Sequence, residues 1–294
     1  MPGILLLGKY GQLGWELHRS LAPFGDLTAL DYPEIDLVDM SSLDEVIQGI
    51  NPSLIINATA YTAVDKAEEE VDMSMAINAY AVRRMAELAL KNGSGLIHFS
   101  TDYVFDGIKG SPYLESDQPN PLGMYGESKL AGENAIREVD CPHLIFRTSW
   151  VYSTRRDSFV TKVLDWGHTQ KELKIVDDQI SNPTWCRMLA EATAMLVTRA
   201  GKHPTEWIRE RNGVYHLAGD GYASRLEWAR SILELDPHPD QQVYKVLKPA
   251  KTSDYPSPAE RPLFSALNCD KFADTFQFRL PDWKVALELA MAVG

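Results

Sequence analysis

The sequence predicts an α/β chain: a doubly wound parallel sheet with a smaller C-terminal domain. Three observations carry this. Short apolar runs alternate with helix-patterned segments through the first half of the 294 residues. A glycine-spaced turn follows the first of those runs. After about residue 150 the rhythm loosens and Pro and Trp become more frequent.

The apolar runs stand at 4–7 (ILLL), 27–30 (LTAL), 54–56 (LII), 96–99 (LIHF) and 144–146 (LIF). They are short enough for strands and apolar on successive positions, as strands covered on both faces require. Helical periodicity covers roughly 12–22, 42–50, 72–91 and 122–138. Ser41 followed by Asp44 reads as an N-cap with an acidic first turn. In the second half, DDQISNPT at 177–184 and TSDYPSPAERP at 252–262 are turn-rich. GVYHLAGDG at 213–221 reads as a strand and turn, with a helix from about Ser224, and PDWKVALELAMAV at 281–293 reads as a final helix. The expected division is 1–150 for a dinucleotide-binding domain, rejoined by the chain around 172–217. Residues 151–171 and 218–294 then form the smaller, substrate-binding domain.

Composition narrows the function. A formal charge of −12 and the lack of a Lys/Arg-rich run exclude a nucleic-acid binder. No apolar run is long enough to span a membrane, and the N-terminal run passes straight into glycines, so the chain reads as cytoplasmic. Cys141, Cys186 and Cys269 are far apart and odd in number, which points to free thiols. Any anionic ligand must be held by local cations and helix N-termini against the overall field.

GKYGQLG supplies that local device. Gly8, Gly11 and Gly14 lie on the turn from the first strand into a helix, where backbone N–H groups can approach a diphosphate. This is a Rossmann-type dinucleotide signature. The near-match GILLLGKY to a P-loop fails, because its spacer belongs in the strand and Tyr10 stands where Ser or Thr would hold Mg²⁺. Asp31 ends the second strand and suits a ribose diol, favouring NADH. Lys9 and Arg19 leave NADPH open.

YGESK at 125–129 puts Tyr125 and Lys129 on one helix face. A phenol near pKa 10 needs roughly 4 kcal/mol of differential stabilisation to titrate near neutrality. A neighbouring ammonium and a cationic nicotinamide have the right sign. HFSTDYVFDG places Thr101 at a strand end on the ligand edge of the sheet, close to where that phenol should lie.

With these motifs the chain resembles the extended short-chain dehydrogenases/reductases, and within them the dTDP-4-dehydrorhamnose reductase family. The matching segments are GKYGQLGWEL, INATAYTAVDKAE, FSTDYVFDG, PLGMYGESKLAGE, IFRTSWVY, DDQISNPT, GVYHLAGDG and RPLFSALN. The resemblance implies hydride transfer from NADPH or NADH to the C4 ketone of a dTDP-4-dehydro-sugar. Tyr125 would donate the proton, Lys129 would lower the phenol pKa and bind the nicotinamide ribose, and Thr101 would bond the reacting oxygen. It also implies cofactor contacts by Gly8, Gly11, Gln12, Leu13, Asp31, Asp36, Leu37, Asn57, Ala58, Ala60 and Tyr61, with Asn78 beneath the site. Tyr103, Phe105 and Trp150 would touch the sugar or base, and Lys66 and Arg261 the diphosphate.

Two departures are visible. Ser181 stands where the family more often has Gly. Some members join as homodimers through carboxylate-bound Mg²⁺. Glu16 fits one ligand position, but Arg187 occupies a second, which argues against a bridging metal. Among alternatives, a 4,6-dehydratase lacks its acid–base pair, because Asp102 is followed by Tyr103. A C4 epimerase would keep Tyr125 and Lys129. The regulatory β subunit of methionine adenosyltransferase shares the fold without catalysing this reaction.

Overall fold

The computed structural model describes residues 3–292. Five strands of the first half align in parallel: β1 (Ile4–Leu7), β2 (Leu27–Leu30), β3 (Leu54–Asn57), β4 (Gly95–Thr101) and β5 (His143–Thr148). Their order is β5-β4-β3-β1-β2, and Gly213–His216 joins beyond β5 as a sixth parallel strand. The residues of β1, β4 and β5 are buried throughout, which is why they read as unbroken apolar runs. One core cluster packs Ile4, Leu6, Ile56 and Phe146 against one face. A second packs Leu5, Leu7, Ile55 and Ile145 against the other. Alternate residues of a strand thus feed opposite layers.

The chain leaves β1 towards β2 on one side, and β3 lies on the other. The strand order therefore reverses at β1, and a crevice opens above the carboxyl ends of β1 and β3. The loops after these strands hold the glycine turn and residues 58–60.

Three sequence expectations shift. The helix expected from 42 begins earlier, at Met40, because the Asp39 side chain rather than Ser41 caps it by accepting the Ser41 N–H at 2.9 Å. The helix expected over 72–91 is broken by a π-turn at Ala76–Tyr80 between Val71–Met75 and Ala81–Asn92. The turn carries the Asn78 carbonyl so close to Gly132 that a Cβ there would lie 2.2 Å away. The return to the sheet also begins later than 172. Glu172–Val176 pairs in parallel with Val246–Ala250, and Cys186–Ala200 packs on Gln12–Leu21 before the chain reaches Gly213.

The helix from Ser224 forms with a full capping box, Ser224 and Glu227 each bonding the other's backbone N–H. The last helix runs Trp283–Ala292; Val293, its expected final residue, lies outside the described residues. No helix among the described residues is long and apolar enough to cross a membrane. All three cysteines are free.

Candidate active site

The glycine turn is shaped by close backbone approach. Gly8 has φ +92°, and a Cβ there would lie 3.0 Å from the Ala58 backbone. At Gly14 a Cβ would fall 1.7 Å from the Gly8 carbonyl oxygen, so the helix start can fold onto the strand end only without a side chain. Gly11 N-caps the helix Gln12–Leu21 with no side-chain bond to its free N–H groups. Asp31 is drawn to this turn, accepting the Tyr10 N–H at 2.9 Å.

Above it lies a cleft of about 600 Å³. Gly11, Gln12 and Leu13 line one end, Ala58 and Ala60 the middle, and Thr101, Tyr125, Lys129 and Trp150 the other end. Asp31, Asp36 and Leu37 share an adjoining hollow with Ala60. Two buried polar atoms on the cleft wall, Gln12 Oε1 and Thr148 Oγ1, have no hydrogen-bond partner within the protein. A glycine cradle, a carboxylate at the second strand end and unpaired polar atoms along the cleft fit a dinucleotide.

Asn57 and Asn78 stand behind this wall. Asn57 is fully buried, and its Oδ1 accepts the Thr59 N–H at 3.0 Å, fixing the 58–60 turn. Asn78 clasps the Tyr61 backbone through N–H to Oδ1 at 2.9 Å and Nδ2 to the carbonyl at 3.1 Å. Its Nδ2 also donates to Ser128 Oγ at 3.0 Å, between Tyr125 and Lys129. The Tyr61 hydroxyl is committed to Glu70 at 2.5 Å, which pushes the phenol up to about 12.

Tyr125 and Lys129 lie on the helix Met124–Val139 and both reach the cleft. The expected lowering of the phenol by Lys129 is not what the protein alone produces. Burial pushes the Tyr125 phenol up, and the Thr101 hydroxyl offsets this only in part. The Lys129 amine instead faces inward, donating to the Phe99 carbonyl at 2.7 Å and lying 3.3 Å from His98 Nε2. Burial brings it down to about 8, with Glu133 opposing. Glu133 is itself paired with buried Arg147 at 2.6 Å.

Beside Thr101, Asp102 is buried in a ring of hydroxyls. Ser149, Ser181 and Ser265 donate to its Oδ2 at 3.1, 3.0 and 2.5 Å, and Thr101 donates to Oδ1 at 3.2 Å. Burial still raises this carboxyl above its ordinary value. Ser181, the departure noted above, keeps a φ outside the left-handed region and adds one of these donors.

The side expected to hold the sugar nucleotide is built differently from expectation. Tyr103 meets Tyr125 edge to face, ring centroids 5.7 Å apart. Trp150 lines the cleft with φ +40°, a conformation a bulky residue rarely adopts, and stacks on Trp228. Over Trp150, 3.7 Å from its ring, lies Arg225, which burial lowers to about 10 and which has no acidic partner among the described residues. Arg225 also borders a second hollow of about 530 Å³ beyond Trp150.

Phe105 and Lys66 are not brought to this wall, while Arg261 lies near enough to act on Tyr103 and Arg225 but is already paired. Phe105 is fully buried, stacked on Tyr113 at 4.2 Å, covered by Arg147 and packed in a small core cluster with Ala218 and Leu267. Arg261 is neutralised by Asp65 at 2.8 Å. Lys66 is exposed and outside the cleft lining. Glu16 is buried and occupied by guanidinium groups, Arg19 at 3.0 Å and Arg187 at 3.2 Å, which leaves its carboxylate no free face for a metal.

Sequence reasoning missed Arg225, Asp102, Ser149 and Arg156, which also lines the cleft. The stretch RTSWVYSTRRD carried a signal for Ser149 and Arg156. Arg225 carried none, since a cation after an N-cap reads as solvated helix surface.

The RmlD substrate binding domain family model matches residues 1–293. The dTDP-4-dehydrorhamnose reductase of Shigella flexneri is 41% identical over 97% of this chain and 95% of its own. A crystal structure of a dTDP-4-dehydrorhamnose reductase from Clostridium acetobutylicum matches with TM-score 0.90 at 31% identity, covering 99% of each chain. That of Bacillus anthracis, solved in complex with NADP, matches with TM-score 0.89 at 31% identity over 100% of this chain and 99% of its own. The chain therefore belongs to the RmlD substrate binding domain family, in the company of the dTDP-4-dehydrorhamnose reductases.

Proposed function

We propose that this protein reduces the C4 ketone of dTDP-4-dehydro-β-L-rhamnose to give dTDP-L-rhamnose, using NADPH or NADH. The observation that carries this reading is the meeting of Thr101, Tyr125 and Lys129 in one cleft, at the end opposite the glycine turn. When bound, the reduced nicotinamide supplies a hydride to the carbonyl carbon.

The chain's own residues supply the rest. Gly8, Gly11, Gln12 and Leu13 receive the cofactor diphosphate, and Asp31, Asp36 and Leu37 its adenosine half. Ala58 and Ala60 border its middle, on a turn braced by Asn57, while Asn78 holds Tyr61 and the catalytic helix in register. Tyr125, kept as the neutral phenol by burial, gives its proton to the alkoxide as that stronger base develops. The long 3.2 Å bond from Thr101 to Asp102 lets that hydroxyl turn towards the reacting oxygen as its charge grows. Lys129 meets the nicotinamide ribose.

Trp150 and Tyr103 flank the sugar. Arg225, rather than Arg261 or Lys66, meets the substrate diphosphate, since a half-buried guanidinium with no carboxylate bonded to it is partly desolvated at a cost until an anion arrives. A carboxylate ring around Mg²⁺ has no place in this reading, because Glu16 is held by arginines. The test is steady-state turnover of the 4-keto sugar nucleotide with each cofactor, followed at the nicotinamide absorbance band. Oxidation of at least one cofactor is expected. None by pure, folded protein would sink the reading.

A further inference from the structure

His98 lies on β4, fully buried, and plays no part in the chemistry above. Its surroundings fix where its proton sits. A backbone N–H can only donate, so the Thr59 N–H at 3.0 Å identifies the atom it meets as Asn57 Oδ1. The Thr59 hydroxyl donates to the same oxygen at 2.5 Å. The Asn57 amide nitrogen is thereby turned to His98 Nδ1, 3.1 Å away, so Nδ1 is the accepting nitrogen. In the neutral ring the proton then sits on Nε2, which faces Lys129 Nζ at 3.3 Å.

Three arrangements can be compared. With Lys129 as the ammonium, Nε2–H and N⁺–H meet donor to donor. Moving the ring proton to Nδ1 sets it against the Asn57 amide N–H instead. With Lys129 as the neutral amine, Nε2–H donates to the nitrogen lone pair, and Nζ still donates to the Phe99 carbonyl at 2.7 Å. Only the last opposes no donors. Burial acts in the same direction, holding His98 neutral and Lys129 low.

The other groups around this pair do little to reverse it. Glu133, on the same helix, favours the ammonium, but its carboxylate is engaged by Arg147 from β5 and by Ser100 from β4. Tyr125 is a neutral phenol. His143 from β5 acts on His98 and is itself held neutral by burial.

We infer that His98 is a positioning residue that lowers the proton affinity of Lys129 in the cofactor-free protein, with Asn57 choosing its tautomer. This rests on the reading of Tyr125 and Lys129 as the proton-transfer pair. Burial already keeps Tyr125 as the phenol, the form a reductive proton donor needs, and a Lys129 of lowered proton affinity can hand a proton on to it. After Tyr125 has given its proton to the substrate alkoxide, a solvent proton taken up on Lys129 passes to the phenolate oxygen. That step restores the phenol.

The test is a pH titration of Lys129 by NMR of ¹³Cε-labelled lysine in the folded, cofactor-free protein, its resonance assigned by loss in Lys129→Met. The parent midpoint is expected at about 8 or below. Asn57→Asp keeps the shape but accepts from Nδ1–H, freeing Nε2 to accept from an ammonium. Its midpoint should rise by about one pH unit or more, a tenfold gain in proton affinity. His98→Met removes the Nε2–H and should raise the midpoint by less. Unmoved midpoints in both variants overturn the inference, and if Asn57→Asp does not fold, His98→Met alone decides. No turnover is needed, so the two readings fail separately: a Lys129→Met enzyme with parental activity would sink the catalytic pair and leave the titration intact.

Discussion

The two ends of the cleft are built by opposite means. At the glycine end the cleft wall is backbone: Gly8, Gly11 and Gly14 lie within seven residues, and Gly8 and Gly14 owe their place to close contacts that a Cβ would disturb. At the Trp150 end the wall is side chains gathered from far apart, with Asp102 bonded to Ser149, Ser181 and Ser265, and Arg225 laid over Trp150. The first can be specified by a local spacing. The second exists only once distant segments have packed, so no local spacing specifies it.

Tyr125 stands between the two ends, and its loss should have the largest effect. Tyr125→Phe is expected to lower kcat by about 10²–10⁴-fold, the range for removal of a general acid. Cofactor affinity, set at the glycine end, should stay within a few-fold. Stopped-flow turnover and fluorescence titration separate the two, and a joint collapse would show that the ends are not independent.

Arg225→Met tests the side-chain end. Removing a charge-assisted contact worth about 1.5–3 kcal/mol should raise the KM of the sugar nucleotide roughly 10- to 100-fold while the cofactor KM holds. An unchanged sugar-nucleotide KM would return the diphosphate to another cation. Gly14→Ala tests the backbone end. A methyl 1.7 Å from the Gly8 carbonyl oxygen must open the turn, and cofactor affinity should fall by roughly tenfold, about 1.4 kcal/mol, by calorimetry.

A milder contrast concerns pH. His216 is fully buried, and burial holds it neutral down to about 3. The unfolded imidazole binds its proton below about 6.5. Between these values the unfolded state carries the extra proton, so stability is complete above about 6.5 and falls as pH drops towards 3. Denaturant unfolding across that window should show a slope reduced in His216→Gln by about 1.4 kcal/mol per pH unit. An identical slope would show that His216 does not contribute to it. The smallest effect is expected from Lys66→Ala. Lys66 is exposed and outside the cleft, and its loss should leave both KM values within about twofold.

The same contrast explains what was legible in the sequence. The parallel sheet was, because β1, β4 and β5 are buried on both faces and show it as plain apolar runs. Gly8 and Gly14 were, because backbone contact leaves a required residue type at a fixed spacing. The meeting of Thr101 with Tyr125 was, since strand polarity places one and helical periodicity the other. Phe105 was not: near Tyr103 in the chain it looks like another sugar contact, and only its packing with the distant Ala218 and Leu267 shows it to be core. Arg261 and Arg225 look alike as sequence, yet Asp65 neutralises the first, while the second lies over aromatic rings and has no salt-bridge partner among the described residues. The inward turn of Lys129 to His98 was hidden too, because it depends on how the helix Met124–Val139 packs on β4.

The most direct test of the account is isotopic. With NADPH or NADH deuterated at the transferring position of the nicotinamide, and dTDP-4-dehydro-β-L-rhamnose as acceptor, the product is examined by NMR and mass spectrometry. One deuterium at C4 of dTDP-L-rhamnose is the predicted result. Recovery of unlabelled sugar nucleotide, or of label at another carbon, would contradict it.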